Sequence, residues 1–158
     1  MTTLLLIRHG IAEDSRPGQK DSDRALTEEG WKKTRAAMKG LVALGYLPTR
    51  GFSSPYRRAL ETLLCLQEVT GAFPTEARED LRPEGRPAQV DRWLRGLQAE
   101  DGRGEVVALV SHQPFLSELV FHLTRRSVEV KKASCTVIRW KEGAWRFERQ
   151  LSPAELRR

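Results

Sequence analysis

Two continuous apolar runs and two further short segments along the chain predict β-strands. Thr3 to Ile7 and Val106 to Val110 are continuous runs, typical of strands buried on both faces of a sheet. Gly51 to Ser54 is predicted as a short second strand, and Thr75 to Leu81 as a third. The pattern therefore favours a sheet covered by helices on both sides.

Four longer segments repeat apolar residues at helical spacing. The predicted helices run from Thr27 to Gly45, from Pro55 to Gly71, from Pro87 to the turn at Asp101 and Gly102, and from Pro114 to Thr124. Threonine as an N-cap, proline in the first turn and glycine after the last turn all favour these boundaries.

The last part of the chain predicts a hairpin. Cys135 to Trp140 and Trp145 to Gln150 are β-rich and flank Glu142 and Gly143. The alternation of strands and helices before it predicts βαβ units. We therefore predict an α/β fold: a single three-layer αβα domain over residues 1–158. Its sheet is mainly parallel with an antiparallel C-terminal edge hairpin, and its last few residues form a flexible tail.

Size and cysteine content predict a cytoplasmic protein with no membrane segment. A domain of 158 residues buries about 70% of its unfolded surface, so it needs no disulfide or metal to fold. Cys65 and Cys135 lie in apolar stretches and are predicted to be buried thiols in a reducing cytosol. The apolar run from Thr2 to Ile7 is too short for a signal peptide.

The net charge of +6 is compatible with nucleic acid, a membrane surface or an anionic substrate as partner. The basic residues are scattered rather than gathered on one helix, which disfavours nucleic acid. The pairs Lys131-Lys132 and Arg157-Arg158 are predicted to be solvated charge.

Cationic residues follow three of the predicted strands. Arg8-His9-Gly10 follows the first, Ser54 to Arg58 the second, and Ser111-His112-Gln113 the fourth. In open α/β sheets, ligands bind at the carboxyl ends of the strands, so these residues are expected to share one rim. Guanidinium groups bind phosphoryl oxygens bidentately, and phosphoryl transfer is catalysed mainly by positioning and charge. The rim suits a phosphoryl group.

His9 is the candidate nucleophile at this rim. A histidine attacks phosphorus through an unprotonated ring nitrogen, and neighbouring arginines lower its pKa towards that neutral form. The carbonyl of Gly10 is placed to fix the ring tautomer, and His112 is expected to face the phosphoryl group as donor or cation. Arg57 and Arg58 are adjacent, and the pattern alone leaves open which of them faces the pocket.

Each histidine has a simpler interpretation as well. Arg8-His9-Gly10 by itself is also typical of a surface loop, and His112 by itself could simply hydrogen-bond a loop carbonyl. The convergence of three strand ends favours a site instead. His122 lies off its apolar stripe one turn after Glu118, which predicts a solvated pair. The histidines lack the spacing of a zinc site, so no metal and no organic cofactor is predicted.

Together these motifs resemble the histidine phosphatase superfamily, also called phosphoglycerate-mutase-like, over nearly the whole chain. Arg8-His9-Gly10 resembles its signature, Ser54 to Thr62 its second motif, and Val110 to Pro114 its second-histidine motif, with Ser111 in place of glycine. Asp21 to Gly30 resembles an element of the short SixA-like phosphohistidine phosphatases, with Ala25 in place of proline.

The resemblance implies roles for individual residues. It implies that His9 is transiently phosphorylated, that Arg8 and Arg58 bind phosphate, and that His112 completes the catalytic set. It further makes four residues candidate substrate-binding positions: Gly10, Arg24, Ser54 and Ser111.

The segment after the third predicted strand bears on the substrate. Larger phosphomonoesterases of the family carry an acid there as proton donor, whereas here Leu81-Arg82 is followed by Pro83 and then Glu84. An alkoxide leaving group needs such an acid, but a ring-protonated phosphohistidine releases neutral imidazole with less help. The chain also has no room for the helical insertions of larger members, and an open site suits a protein substrate.

The sequence therefore predicts a protein phosphohistidine phosphatase whose partner is a phosphohistidine-bearing protein domain. The alternative is a small-molecule phosphomonoesterase acting on a sugar or nucleotide phosphate, with Glu84 as the acid; Glu79 and Asp80 are further candidates for that role. An alternative of another class is a non-catalytic module that binds phosphate or nucleic acid.

Overall fold

The computed structural model describes residues 2–100 and 104–158. The strands are β1 (Thr3–Arg8), β2 (Arg50–Ser53), β3 (Thr75–Ala77), β4 (Val106–Ser111), β5 (Cys135–Lys141) and β6 (Ala144–Leu151). The helices are α1 (Glu28–Ala43), α2 (Arg57–Thr70), α3 (Pro87–Glu100), α4 (Phe115–Thr124) and α5 (Pro153–Leu156). The turn predicted at Asp101 and Gly102 lies outside the described residues. No helix within the described ranges is long and apolar enough to cross a bilayer.

All six strands form one sheet in the order β3-β2-β4-β1-β5-β6. The pairs β2–β3, β2–β4 and β1–β4 are parallel, whereas β5 is antiparallel to β1 and β6 is antiparallel to β5. The predicted α/β class, parallel centre and antiparallel edge hairpin are confirmed. Arg8 is in register with Ser111, and Ser53 with Val110, so the carboxyl ends of β1, β4 and β2 lie side by side.

The sheet separates two hydrophobic layers. Leu4 and Leu6 of β1 pack on the side of α3 and α4, and Leu5 and Ile7 pack on the side of α1, α2 and α5. Each of these four side chains is at most 1% exposed. Burial of one such side chain stabilises the fold by roughly 1.5–3 kcal/mol, which explains why β1 is apolar at every position between Leu4 and Ile7.

Two predicted boundaries were wrong. The strand predicted from Thr75 to Leu81 ends at Ala77, and Glu79–Leu81 forms a 3-10 turn that buries Leu81. Helix α2 begins at Arg57 rather than at Pro55. Ser54 still donates its N–H to Val110, at 3.0 Å across the sheet, and Pro55 and Tyr56 form a bend before the helix.

The C-terminal residues up to Leu156 are packed against the domain. Ser152 and Glu155 form a reciprocal capping box at the start of α5. Leu156 is 1% exposed and joins the hydrophobic layer beside α1. Only Arg157 and Arg158 are exposed beyond it, as predicted. The thiols of Cys65 and Cys135 are free and buried, also as predicted.

Candidate active site

The four predicted catalytic side chains meet at the carboxyl edge of the sheet. Arg8 and His9 come from the end of β1, Arg58 from the first turn of α2, and His112 from the residue after β4. They line one cavity of about 290 Å³, and Asp21, Arg24 and Lys132 line it as well. The prediction that these strand ends share one rim is confirmed.

The His9 ring is held in one tautomer. Its Nδ1 lies 2.7 Å from the carbonyl oxygen of Gly10, the contact predicted from the sequence. A carbonyl only accepts, so Nδ1 carries the proton of the neutral ring and donates it. Nε2 is then left with its lone pair, and it lies 3.4 Å from Nε of Arg58. His9 has the form that a nucleophile needs.

Both histidines of the cavity are uncharged near neutral pH. Burial lowers the pKa of His9 to about 3; the Gly10 carbonyl opposes this, and the charges of Arg58, Arg8 and Lys132 add to it. The pKa of His112 is also lowered to about 3, first by burial and then by His9 and Arg58. The prediction named the arginines, whereas burial makes the larger contribution.

These lowered pKa values predict that acid weakens the fold. Below the ordinary pKa of 6.5, both histidines are protonated in the unfolded chain but not in the folded protein. The free energy of unfolding therefore decreases as the pH is lowered, down to about pH 3. Between about pH 7.5 and about pH 5, each histidine should lower the free energy of unfolding by about 2 kcal/mol.

Urea unfolding at these two pH values measures that loss. The variant His9→Gln removes one of the two groups, so its loss should be smaller than that of the wild type by about 2 kcal/mol. An equal loss in both proteins would contradict the pKa lowering of His9.

Arg58, and not its neighbour Arg57, faces the cavity. The Arg58 side chain is 5% exposed and donates from Nη1 and Nη2 to the backbone oxygen and Oδ2 of Asp21, at 2.8 and 3.1 Å. Arg57 is 60% exposed and pairs with Glu61 one helical turn later. Adjacent helical residues point about 100° apart, so only one of the two can enter the site.

Arg8 is held against the turn before β5. Its Nη1 donates to the carbonyl of Val130 at 3.0 Å, and its buried Nε has no partner among the described residues. Burial lowers the pKa of this guanidinium from its ordinary value, which still leaves it charged. An unpaired buried donor beside His9 is suited to an anionic ligand.

Asp21 is a site residue to which the sequence reasoning gave no role. Its carboxylate accepts from Arg58 and, at 2.9 Å, from Nε of Arg24. Burial raises the pKa of Asp21, but the hydrogen bonds and charges of the two arginines outweigh it and hold the pKa below its usual range. Its position at the start of the element from Asp21 to Gly30 was the available signal.

The structure corrects the prediction made for Lys132. It was predicted as solvated charge, and it is exposed, but it lines the cavity and contributes to the lowered pKa of His9. The next residue, Ala133, has φ of 60° and donates its N–H to the carbonyls of Arg8 and His9, at 3.0 and 3.2 Å. This turn holds Lys132 beside the end of β1.

Three of the four candidate substrate-binding residues have their polar groups engaged within the protein. Gly10 donates its N–H to Thr62 and its carbonyl contacts His9; Ser54 Oγ contacts Nε2 of His112 at 2.8 Å; and Ser111 Oγ donates to Leu81. All three are buried, so they position the site rather than line it. Only Arg24 of this set lines the cavity.

The candidate acids lie outside the cavity. Glu84 is exposed, and Pro83 occupies the rim instead. Glu79 pairs with Arg82 and Asp80 with Arg78. Within the described residues, Asp21 is therefore the one carboxylate that lines the cavity.

His122 stays remote from the cavity, but its partner differs from the prediction. Its Nε2 lies 3.0 Å from Oδ2 of Asp91 on α3 instead of pairing with Glu118. The side chain therefore links two helices rather than forming a pair within one.

Comparison with known proteins agrees with this geometry. A model of the histidine phosphatase superfamily (branch 1) matches residues 4–83, which include Arg8, His9 and Arg58. The chain belongs to the histidine phosphatase superfamily. Its members are phosphatases and mutases that act on phosphorylated substrates, so this histidine phosphatase is an enzyme.

Two kinds of relative are found. A 2,3-bisphosphoglycerate-dependent phosphoglycerate mutase from Rhizobium etli is 30% identical, over 93% of this histidine phosphatase and 82% of the relative. The structure of the protein histidine phosphatase SixA complexed with tungstate is 26% identical with a TM-score of 0.89, covering 98% of this chain and 99% of that one. The putative phosphohistidine phosphatase SixA from Agrobacterium tumefaciens shares the fold, at 21% identity, a TM-score of 0.80 and coverage of 96% and 98%.

Proposed function

We propose that this chain, acting as one domain over residues 1–158, is a protein phosphohistidine phosphatase. The observation that carries the proposal is the composition of the cavity. It holds two neutral histidines and several cations, but its one described carboxylate, Asp21, is bound by two arginines. A carboxylate with a lowered pKa is a poor proton donor at neutral pH.

In the first step, Nε2 of His9 attacks phosphorus and the P–N bond to the substrate histidine breaks. The electron pair of that bond goes to the substrate ring nitrogen, and the ring leaves as neutral imidazole because its other nitrogen carries a proton. Arg8 and Arg58 hold the phosphoryl oxygens through charge-assisted hydrogen bonds, with His112 as a neutral donor. No acid of the enzyme is required.

In the second step, water attacks the phosphorus on His9. The P–N bond to Nε2 breaks, its electron pair returns to the ring, and both protons of the water leave with inorganic phosphate. The Gly10 carbonyl, 2.7 Å from Nδ1, keeps the same tautomer through both steps. His9 is thus regenerated in its neutral form.

The comparison with SixA supports this proposal. That structure is named as a protein histidine phosphatase, and it matches this chain over nearly the full length of both. Within the part of the chain that the structure describes, no element covers the cavity, so it is accessible to a phosphorylated residue on the surface of another protein, the partner that we propose.

A phosphomonoesterase of small substrates is the second candidate, and the mutase relative favours it. Its alkoxide leaving group must receive a proton. Glu84, next to the rim residue Pro83, is a carboxyl that a movement of the loop would bring in. The two candidates therefore differ in whether Glu84 contributes.

A substrate panel tests the choice. We expect kcat/KM for a histidine-phosphorylated protein and for phosphoimidazole to exceed that for alkyl phosphates by at least about 10²-fold, the usual contribution of a general acid. Glu84→Gln should leave the hydrolysis of both P–N substrates unchanged, as should the control Glu79→Gln. A strong preference for one sugar or nucleotide ester, lost in Glu84→Gln, would establish the second candidate instead.

A further inference from the structure

A second concave surface lies beside the active site. This groove, with a volume of about 660 Å³, runs between the start of α3 and the outer face of α4, and it exceeds twice the volume of the cavity at His9. Arg86 and Pro87 line one wall, and Ser117, Phe121 and Arg125 line the other. We call it the α3–α4 groove.

The groove begins where the active-site cavity ends. Gln113 lines the cavity, and Ser117 lines the groove. The two side chains are joined, because Gln113 Nε2 donates to Ser117 Oγ at 3.2 Å and the Ser117 N–H donates to Gln113 Oε1 at 2.9 Å. On the opposite wall, Pro83 of the cavity is three residues from Arg86 of the groove. A surface that covers the cavity on this side also covers the groove.

The lining combines an apolar anchor with positive charge. Phe121 is 46% exposed, unusual for a phenylalanine on a helix, and lies about 6 Å further along α4 than Ser117. Arg125 stacks on its ring at 5.6 Å, and Arg86 is exposed on the other wall. The lining thus carries two guanidinium groups and one carboxylate, that of Glu118, so positive charge exceeds negative charge. The His122 ring is paired with Asp91. The groove is therefore complementary to an apolar side chain flanked by carboxylates.

We propose that the α3–α4 groove docks the protein that carries the phosphohistidine, and this inference rests on the proposed function. The partner places its phosphorylated histidine in the cavity at His9. Beside that histidine its surface presents an apolar side chain to Phe121 and carboxylates to Arg86 and Arg125. Exposed aromatic and arginine side chains in a groove are the residue types that dominate the binding energy of protein interfaces.

The test compares two probes on the full chain: an acidic protein domain phosphorylated on its histidine, and phosphoimidazole, which reaches only the cavity. Phe121→Ala and the double variant Arg86→Glu/Arg125→Glu should each lower kcat/KM for the protein probe by about tenfold or more, through KM. Both variants should hydrolyse phosphoimidazole as the wild type does.

Matched controls are available on the opposite face of the sheet. Leu64 on α2 is 45% exposed, so Leu64→Ala removes an equally exposed apolar side chain, and Lys32→Glu/Lys39→Glu on α1 makes the same change in charge. Both controls should keep wild-type kcat/KM for the protein probe. Equal losses in groove and control variants, or no loss in the groove variants, would overturn the docking proposal alone. A wild type that hydrolyses neither probe would overturn the proposed function, and docking with it.

Discussion

Replacing His9 with alanine is expected to lower kcat by at least about 10⁴-fold and to abolish the phosphoenzyme. Nδ1 is committed to Gly10, so Nε2 carries the lone pair of the neutral ring, and Nε of Arg58 donates to it at a long 3.4 Å. Without it, water must attack the substrate directly, and Arg8 and Arg58 contribute only charge stabilisation. The measurement is single-turnover kinetics with a radiolabelled phosphohistidine protein, quenched in alkali because phosphohistidine is acid-labile.

The matched control is His122→Ala. His122 pairs with Asp91 away from the cavity, so its variant should keep kcat within about twofold of the wild type and form the same phosphoenzyme. Phosphoenzyme in His9→Ala at the wild-type level would mean that another residue accepts the phosphoryl group. The absence of phosphoenzyme in the wild type would favour the non-catalytic alternative.

The centre of the fold was predictable because it is buried on both faces. β1 and β4 have no solvent-facing side, so their apolar residues are continuous, and such runs identify central parallel strands. The edge strand β3 is exposed at all three of its residues, so no burial pattern marks where it ends. The short helix α5 was missed because four residues contain no helical period, although its capping box is visible in the sequence.

The central site residues were predictable because the parallel sheet brings strand ends together whatever the loops do. His9 and His112 each lie directly after a strand, and their ring centroids are 5.1 Å apart. Asp21 and Lys132 lie on loops, and a loop position depends on contacts that no local pattern records. For Lys132 the deciding contact is the N–H of Ala133 on the carbonyls of Arg8 and His9.

Motifs also failed to separate residues that touch the ligand from residues that support them. Ser54 and Ser111 stand in the family motifs, but the first orients the His112 ring and the second holds the turn at Leu81. A sequence match indicates that such a residue belongs to the site; only the hydrogen-bond partner shows what it does there.

Arg58→Ala is expected to lower kcat/KM by about 10³-fold, the second-largest effect. Removing a charged donor aimed at the developing transition-state charge typically costs 10²-fold or more. The fold should survive, because the Asp21 carboxylate left behind is 53% exposed and can be solvated. Urea unfolding of the variant checks this, and steady-state kinetics on phosphoimidazole measures the loss without any contribution from docking.

Arg57→Ala is the matched control, since it removes the same side chain one residue earlier. Arg57 makes only an exposed pair with Glu61, so kcat/KM should stay within about twofold of the wild type. Arg58→Lys separates charge from geometry: an ammonium retains the charge but cannot bind two phosphoryl oxygens in a planar fork, so its activity should fall between those of the alanine variant and the wild type. Equal losses in the two alanine variants would mean that the site responds to net charge rather than to the Arg58 guanidinium in the cavity.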